Sequence, residues 1–317
     1  MKRLPAGLAF AALAAICTTN VRADDAAKPP LRSCHLARME SLDVDTLTSG
    51  EIAVPVSLNN RPYRMLVDTG SDHSSVAPDV ADQLGLEQKL TLFGGSFLNN
   101  VRVFTFVELD SIAFGRLHSR TKWPMLVAPD SVLSPTIAGL VGADVMANYD
   151  IEFDFFGGKM NFFAPTDCPD PVYWTTADSQ VPIELDKAGH VTVEAMLDGK
   201  PVKVFLDTGS PDSVMSLDAA RDLFGWRDDD PRVVLERTLN LNGGASTPFY
   251  KYPFATLSFG GVTIQHPRVG LIPRANFNPH GPDRANIILG MSVIRQLHLF
   301  VAYRESKLFL TAAEPAP

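Results

Sequence analysis

The chain has 317 residues, of which 45% are apolar, with 28 basic and 36 acidic residues and a net charge of −8. That length allows two domains of ordinary size, each able to bury a core. The acidic balance makes nucleic acid and anionic membrane poor partners.

Residues 1–23 read as a targeting segment. Lys2 and Arg3 open it, Leu8 to Ile16 is an apolar run too short to span a bilayer, and Val21-Arg22-Ala23 is a small-X-Ala cleavage site. The expectation is a secretory signal peptide and an exported protein, periplasmic or secreted. Cys17 leaves lipid attachment as the alternative, although Ile16 stands where lipoprotein sites usually carry a small residue. Cleavage would remove Lys2, Arg3 and Arg22 and no acid, so 25 basic residues would face 36 acidic ones, a net charge of −11. No second long apolar stretch follows, so no integral membrane partner is implied.

Residues 24–34, with Pro29-Pro30, are expected to be a flexible lead-in. Two cysteines follow the targeting segment, Cys34 and Cys168. In an oxidising compartment an even pair is a disulfide candidate, the alternative being two free thiols. A bridge would tie together the ends of the first repeat. In the chain-entropy model so long a loop is worth roughly 4–5 kcal/mol, less any strain.

Ile52 to Leu58 alternates apolar and polar positions as a half-buried strand does, Asn59-Asn60 is a turn signal, and Tyr63 to Val67 is the next strand. That hairpin runs into Leu66-Val67-Asp68-Thr69-Gly70-Ser71. A short helix is expected over Asp79 to Leu84. Gly94-Gly95, between apolar strands, predicts a hairpin tip with a mobile backbone. Gly139-Leu140-Val141-Gly142 then leads to another short helix and a closing hairpin, Ile151 to Phe156 and Lys159 to Phe163.

After a linker at 165–180 the same design returns. Val191 to Leu197, Asp198-Gly199 and Val202 to Leu206 lead into Asp207-Thr208-Gly209-Ser210, at a constant offset of 139 residues. A helix is expected over Asp218 to Phe224, and Gly243-Gly244 repeats the double glycine. Ile287-Ile288-Leu289-Gly290 matches the late glycine motif at an offset of 148. The second copy therefore carries about nine extra residues, with Asp-rich Arg227 to Pro231 a candidate part of them. A unit of about 130 residues is far above solenoid periods and reads as domain duplication. Frequent short strands favour an all-β fold.

Asp-Thr-Gly-Ser after two apolar residues, with an apolar-apolar-Gly late in each copy, resembles the aspartic proteases. Gly142-Ala143-Asp144-Val145-Met146 and Gly290-Met291-Ser292-Val293-Ile294 are similar to bacterial members of the retropepsin-like branch. The resemblance implies two tandem β-barrel domains with short helices, pseudo-two-fold related, at 35–164 and 181–313. It implies Asp68 and Asp207 as catalytic, with Thr69 and Thr208 cross-bonding the two loops. Gly142 and Gly290 would pack beside those loops, and Gly94, Gly95, Gly243 and Gly244 would be flap tips. The alternative for the glycine pairs is an ordinary hairpin turn. Ala143 and Met291 stand where viral members carry Arg, so the Arg-mediated dimer contacts are not expected.

Amide hydrolysis needs a base to activate water and an acid for the leaving group. Two adjacent carboxylates cannot both ionise easily and so share a proton, for which the aspartic proteases are themselves the standing case. Gly70 and Gly209 would let backbone approach the carboxylates, and Ser71 and Ser210 would hydrogen-bond their outer oxygens. No cofactor or metal is expected: the seven histidines show no zinc spacing, and there is no nucleophile elbow or phosphate-binding loop. His73 reads as a cleft-rim or surface residue. The expected partner is a peptide or protein substrate, and the expected state is a monomer with a pseudo-dimeric site. Two alternatives remain open: a non-catalytic peptide binder, and a dimer whose Asp residues pair homotypically between chains.

Overall fold

A computed structural model describes residues 36–97, 101–129, 133–165, 172, 174, 180–226, 229–240, 246–273, 277 and 285–313. The targeting segment, Cys34, Cys168, Gly243 and Gly244 lie outside the described residues, and with them the expected disulfide and second flap tip.

Each repeat opens with the hairpin its alternation predicts. Ile52–Leu58 pairs antiparallel with Arg61–Val67, and Val191–Leu197 with Lys200–Leu206. Both turns are left-handed at their two central residues: Asn59 and Asn60 at φ 47° and 62°, Asp198 and Gly199 at 46° and 74°. Asn, Asp and Gly tolerate that region best, and such turns match the twist of the strands they join.

The Asp-bearing strand is then held from the side by distant sequence. Arg61–Val67 runs parallel to Gly139–Val141, which pairs antiparallel with Ser75–Val76, which runs parallel to Trp123–Val127. The second repeat builds the same arrangement from Lys200–Leu206, Ile287–Leu289, Ser213–Ser216 and Val269–Ile272. Each Asp loop therefore links two strands fixed against one late strand. The short helices form as expected. Pro78–Gln83 starts at a proline, and Leu217–Phe224 is capped by Ser216 Oγ, which accepts the Ala219 N–H at 3.1 Å, and closed by Gly225 at φ 66°.

Strands within residues 45–141 form a ten-stranded sheet. A fifteen-stranded sheet joins Arg38–Asp43, Asp150–Asp154 and Lys159–Phe163 to the strands of the second repeat. At the seam Asp150–Asp154 pairs antiparallel with Leu297–Ala302, so the closing hairpins of the two repeats share one ladder. Residues 35–317 form one compact unit. Inside the seam Glu152, fully buried, accepts from Asn161 Nδ2 at 2.7 Å and from Trp174 Nε1 at 2.5 Å, and faces His298 Nε2 at 2.9 Å. Trp174 stacks on His298 with ring centroids 3.8 Å apart. A buried carboxylate needs such partners.

Candidate active site

The two Asp-Thr-Gly loops meet within one chain. Thr69 Oγ1 donates to the Leu206 carbonyl at 2.9 Å and accepts the Thr208 N–H at 3.0 Å. Thr208 Oγ1 donates to the Val67 carbonyl at 2.7 Å and accepts the Thr69 N–H at 3.0 Å. Both threonines are buried, and each hydroxyl is used as donor and acceptor. The two Asp loops therefore pair with each other within this chain.

The cross-bonding brings each carboxylate onto the other loop's glycine. A Cβ at Gly70 would lie 2.6 Å from Asp207 Cγ, and one at Gly209 would lie 2.3 Å from Asp68 Cγ. Only glycine leaves room for these carboxylates. The same glycines donate their N–H groups within their own loops, Gly70 to Asp68 Oδ1 and Gly209 to Asp207 Oδ1, both at 2.9 Å. Burial, and then the negative charge of Asp68, push the Asp207 carboxyl well above the usual carboxylate range. The N–H groups of Gly209 and Ser210 oppose that rise without cancelling it. The pair is thus set to hold one proton at a pH where isolated carboxylates would hold none.

Ser71 and Ser210 do not serve the carboxylates as expected. Their hydroxyls donate to main-chain carbonyls two residues on, Ser71 to His73 at 3.1 Å and Ser210 to Asp212 at 2.8 Å. A serine hydroxyl has one proton, and a carbonyl in its own turn is the nearer acceptor. His73 is exposed.

Sequence reading missed the residues that lock each loop to its late glycine. Ser74 Oγ accepts the Gly142 N–H at 3.0 Å and donates to Asp144 Oδ1 at 2.7 Å. Ser213 Oγ accepts the Gly290 N–H at 3.0 Å, and Ser292 Oγ lies 3.0 Å from it. The signal was available, since Ser74 and Ser213 continue the 139-residue offset and Asp144 and Ser292 the 148-residue one. Gly142 and Gly290 do pack against the Asp loops. A Cβ at Gly142 would sit 2.8 Å from the His73 carbonyl carbon, and one at Gly290 would sit 2.2 Å from the Asp212 oxygen.

The glycine pair of the first hairpin is not its tip. Lys89–Phe97 pairs with Val101–Leu109, and the ladder reaches Phe97 opposite Val101. From Leu90 to Gly95 one strand advances five residues while its partner advances two, Thr105 to Val103. Gly94 and Gly95 fall in that irregularity, where a backbone without side chains absorbs the excess. Leu90, Leu92 and Phe104 are exposed on this hairpin. The second hairpin pairs Val234–Asn240 with Ser246–Lys251 and exposes Val234 and Leu235. It is tied to the second Asp loop, for Arg237 Nη2 lies 2.5 Å from Asp212 Oδ2 and its guanidinium sits 4.1 Å over the Phe249 ring.

Among the described residues no group of three or more His, Cys, Asp or Glu side chains could hold a metal ion. A family model described as Aspartyl protease matches residues 54–145 and 193–293, more than half of the chain, and each matched segment contains one Asp-Thr-Gly-Ser loop. Among solved structures, conglutin gamma, a basic 7S globulin from lupine seeds, is similar with a TM-score of 0.50 and 11% identity, over 87% of this chain and 95% of that one. Basic 7S globulin from soybean gives 0.51 and 11%, over 87% and 97%. At that identity the likeness shows the fold alone. No curated protein matches the chain in sequence.

Proposed function

Since the chain belongs to the aspartyl protease family, we propose that it is an aspartic endopeptidase in which Asp68 and Asp207 activate one water molecule between them. The observation that carries this is the seating of each carboxylate on the other loop's glycine, which puts Asp207 within reach of the Asp68 charge. Asp207 holds the shared proton and Asp68 is the base. Asp68 takes a proton from water as the oxygen attacks the peptide carbonyl carbon, and Asp207 gives its proton to the carbonyl oxygen. When the gem-diol collapses, the C–N bond breaks, the leaving nitrogen takes the proton from Asp68, and Asp207 recovers one from a gem-diol hydroxyl.

The substrate is an extended peptide that hydrogen-bonds as an added strand. Leu90, Leu92 and Phe104 on one hairpin, and Val234 and Leu235 on the other, offer apolar surface for its side chains. The enzyme acts as a monomer after export, periplasmic or secreted, and needs no cofactor.

The test is peptide cleavage by wild type, Asp68→Asn and Asp207→Asn. The wild type should show a bell-shaped pH profile with an acidic optimum, because one carboxyl must be ionised and one protonated. Both variants should lose cleavage, and full activity in either would sink the shared dyad. Peptide binding without cleavage across about pH 3–7 would make the protein a binding module instead.

A further inference from the structure

We infer that His190 is a positioning residue that staples the first Asp loop to the second repeat through Asp72, and that the staple holds only while both ring nitrogens are protonated. The inference rests on loop geometry, and on the protease reading only for its activity readout.

His190 is 2% exposed and sits at the end of a turn built on one carboxylate. Asp186 Oδ1 accepts the N–H groups of Ala188 at 2.9 Å, Gly189 at 3.0 Å and His190 at 3.0 Å. Asp186 Oδ2 lies 2.7 Å from His190 Nδ1. On the other side of the ring, Nε2 lies 3.0 Å from Asp72 Oδ1, in the loop that follows Asp68, an ion-pair distance without the alignment of a hydrogen bond, so this side of the staple is a charge contact. The ring also packs on Phe205, two residues before Asp207, with centroids 5.3 Å apart. One side chain therefore touches both Asp-bearing segments.

A neutral imidazole has one N–H and one lone pair, so it satisfies one carboxylate and repels the other. Two facing carboxylates require the cation. The largest charged influences on the ring are Asp186, from its own turn, and Asp72, from the first repeat. Lys187 lies in that same turn, and His73, next to Asp72, acts on Asp144. Burial disfavours the charged ring, but the two carboxylates outweigh it and raise His190 above its ordinary range. A raised pKa makes the contribution complete below the unfolded value of about 6.5 and lost as pH rises through the folded value. The staple is one-sided: at the 139-residue offset Pro211 stands opposite Asp72, and Glu51 opposite His190.

The experiment is an NMR titration of the His190 ring nitrogens in the full chain, with hydrogen exchange over residues 68–74, for wild type, Asp72→Asn and His190→Gln. Asp72→Asn keeps the ring and its turn, so it should fold even if His190→Gln does not. The expected result is a His190 midpoint above that of an ordinary histidine, lowered by Asp72→Asn. Exchange at 68–74 should speed up about tenfold in the variant at mildly acidic pH and converge with wild type at alkaline pH. The kcat for peptide cleavage should fall several-fold in the same pH range. A midpoint and an exchange rate unmoved by Asp72→Asn would overturn the staple. Responses as expected in a protein that cleaves no peptide would support the staple and count against the protease reading alone.

Discussion

At the scale of single residues, the Asp207 carboxyl is the group on which chemistry and stability pull in opposite directions. Its folded pKa is raised by burial and by Asp68. The folded state therefore binds that proton more tightly than the unfolded chain, and stability is lost as pH rises from about 3.9 through the folded value. Asp207→Asn should lower kcat by about 10²–10⁴-fold or more while raising the midpoint of thermal unfolding at neutral pH. A calorimetric series from acid to neutral pH would check this, with the gain expected to vanish in acid. Thr69→Val should behave differently. It leaves the Leu206 carbonyl and the Thr208 N–H buried without their partner and should cost about 2–4 kcal/mol in urea unfolding, whereas Thr69→Ser should recover most of it. The aspartates, threonines and glycines were legible because a repeat shows which residues recur in the same surroundings. Ser71 and Ser210 were misread because a hydroxyl chooses among acceptors by geometry that no motif states. His190 gave no signal, since its partners come from both repeats and neither has a matching partner in the other.

Between strands and loops, the late glycines set the height of the Asp loops. A methyl group at Gly290 would meet the Asp212 oxygen at 2.2 Å, and one at Gly142 would meet the main chain at 2.8 Å. Gly290→Ala should therefore be the more damaging of the two, by about 1–3 kcal/mol of overpacking, in parallel denaturation curves. The two hairpins also differ. Arg237 anchors the second to Asp212, a half-exposed pair whose loss should change stability by less than about 1 kcal/mol. Arg237→Ala should instead speed hydrogen exchange over residues 234–251 and raise KM. The existence of both hairpins was legible from their apolar runs, but the turn of the first was not. Glycine pairs mark strand irregularities as well as tips, and Gly94-Gly95 lies where the register shifts.

Across the whole molecule, the seam sheet joins two similar halves through one shared ladder, within the compact unit that carries both Asp loops. Its pairing of Asp150–Asp154 with Leu297–Ala302 was not legible, because it joins segments about 150 residues apart through strand edges that carry no local pattern. The duplication itself was legible from offsets alone. Glu152 lies inside this seam, and Glu152→Ala would leave Asn161, Trp174 and His298 without their acceptor. The expected cost is about 3 kcal/mol or more in equilibrium unfolding, far above that of an exposed ion pair. The proposed chemistry requires one proton shared between Asp68 and Asp207. Carbon-13 NMR titration of the two carboxyl groups in wild type and Asp68→Asn tests it most directly. A shared proton gives an Asp207 midpoint well above the ordinary value of about 3.9, falling when the Asp68 charge is removed. An Asp207 that titrates as an isolated carboxylate, indifferent to Asp68, would contradict it.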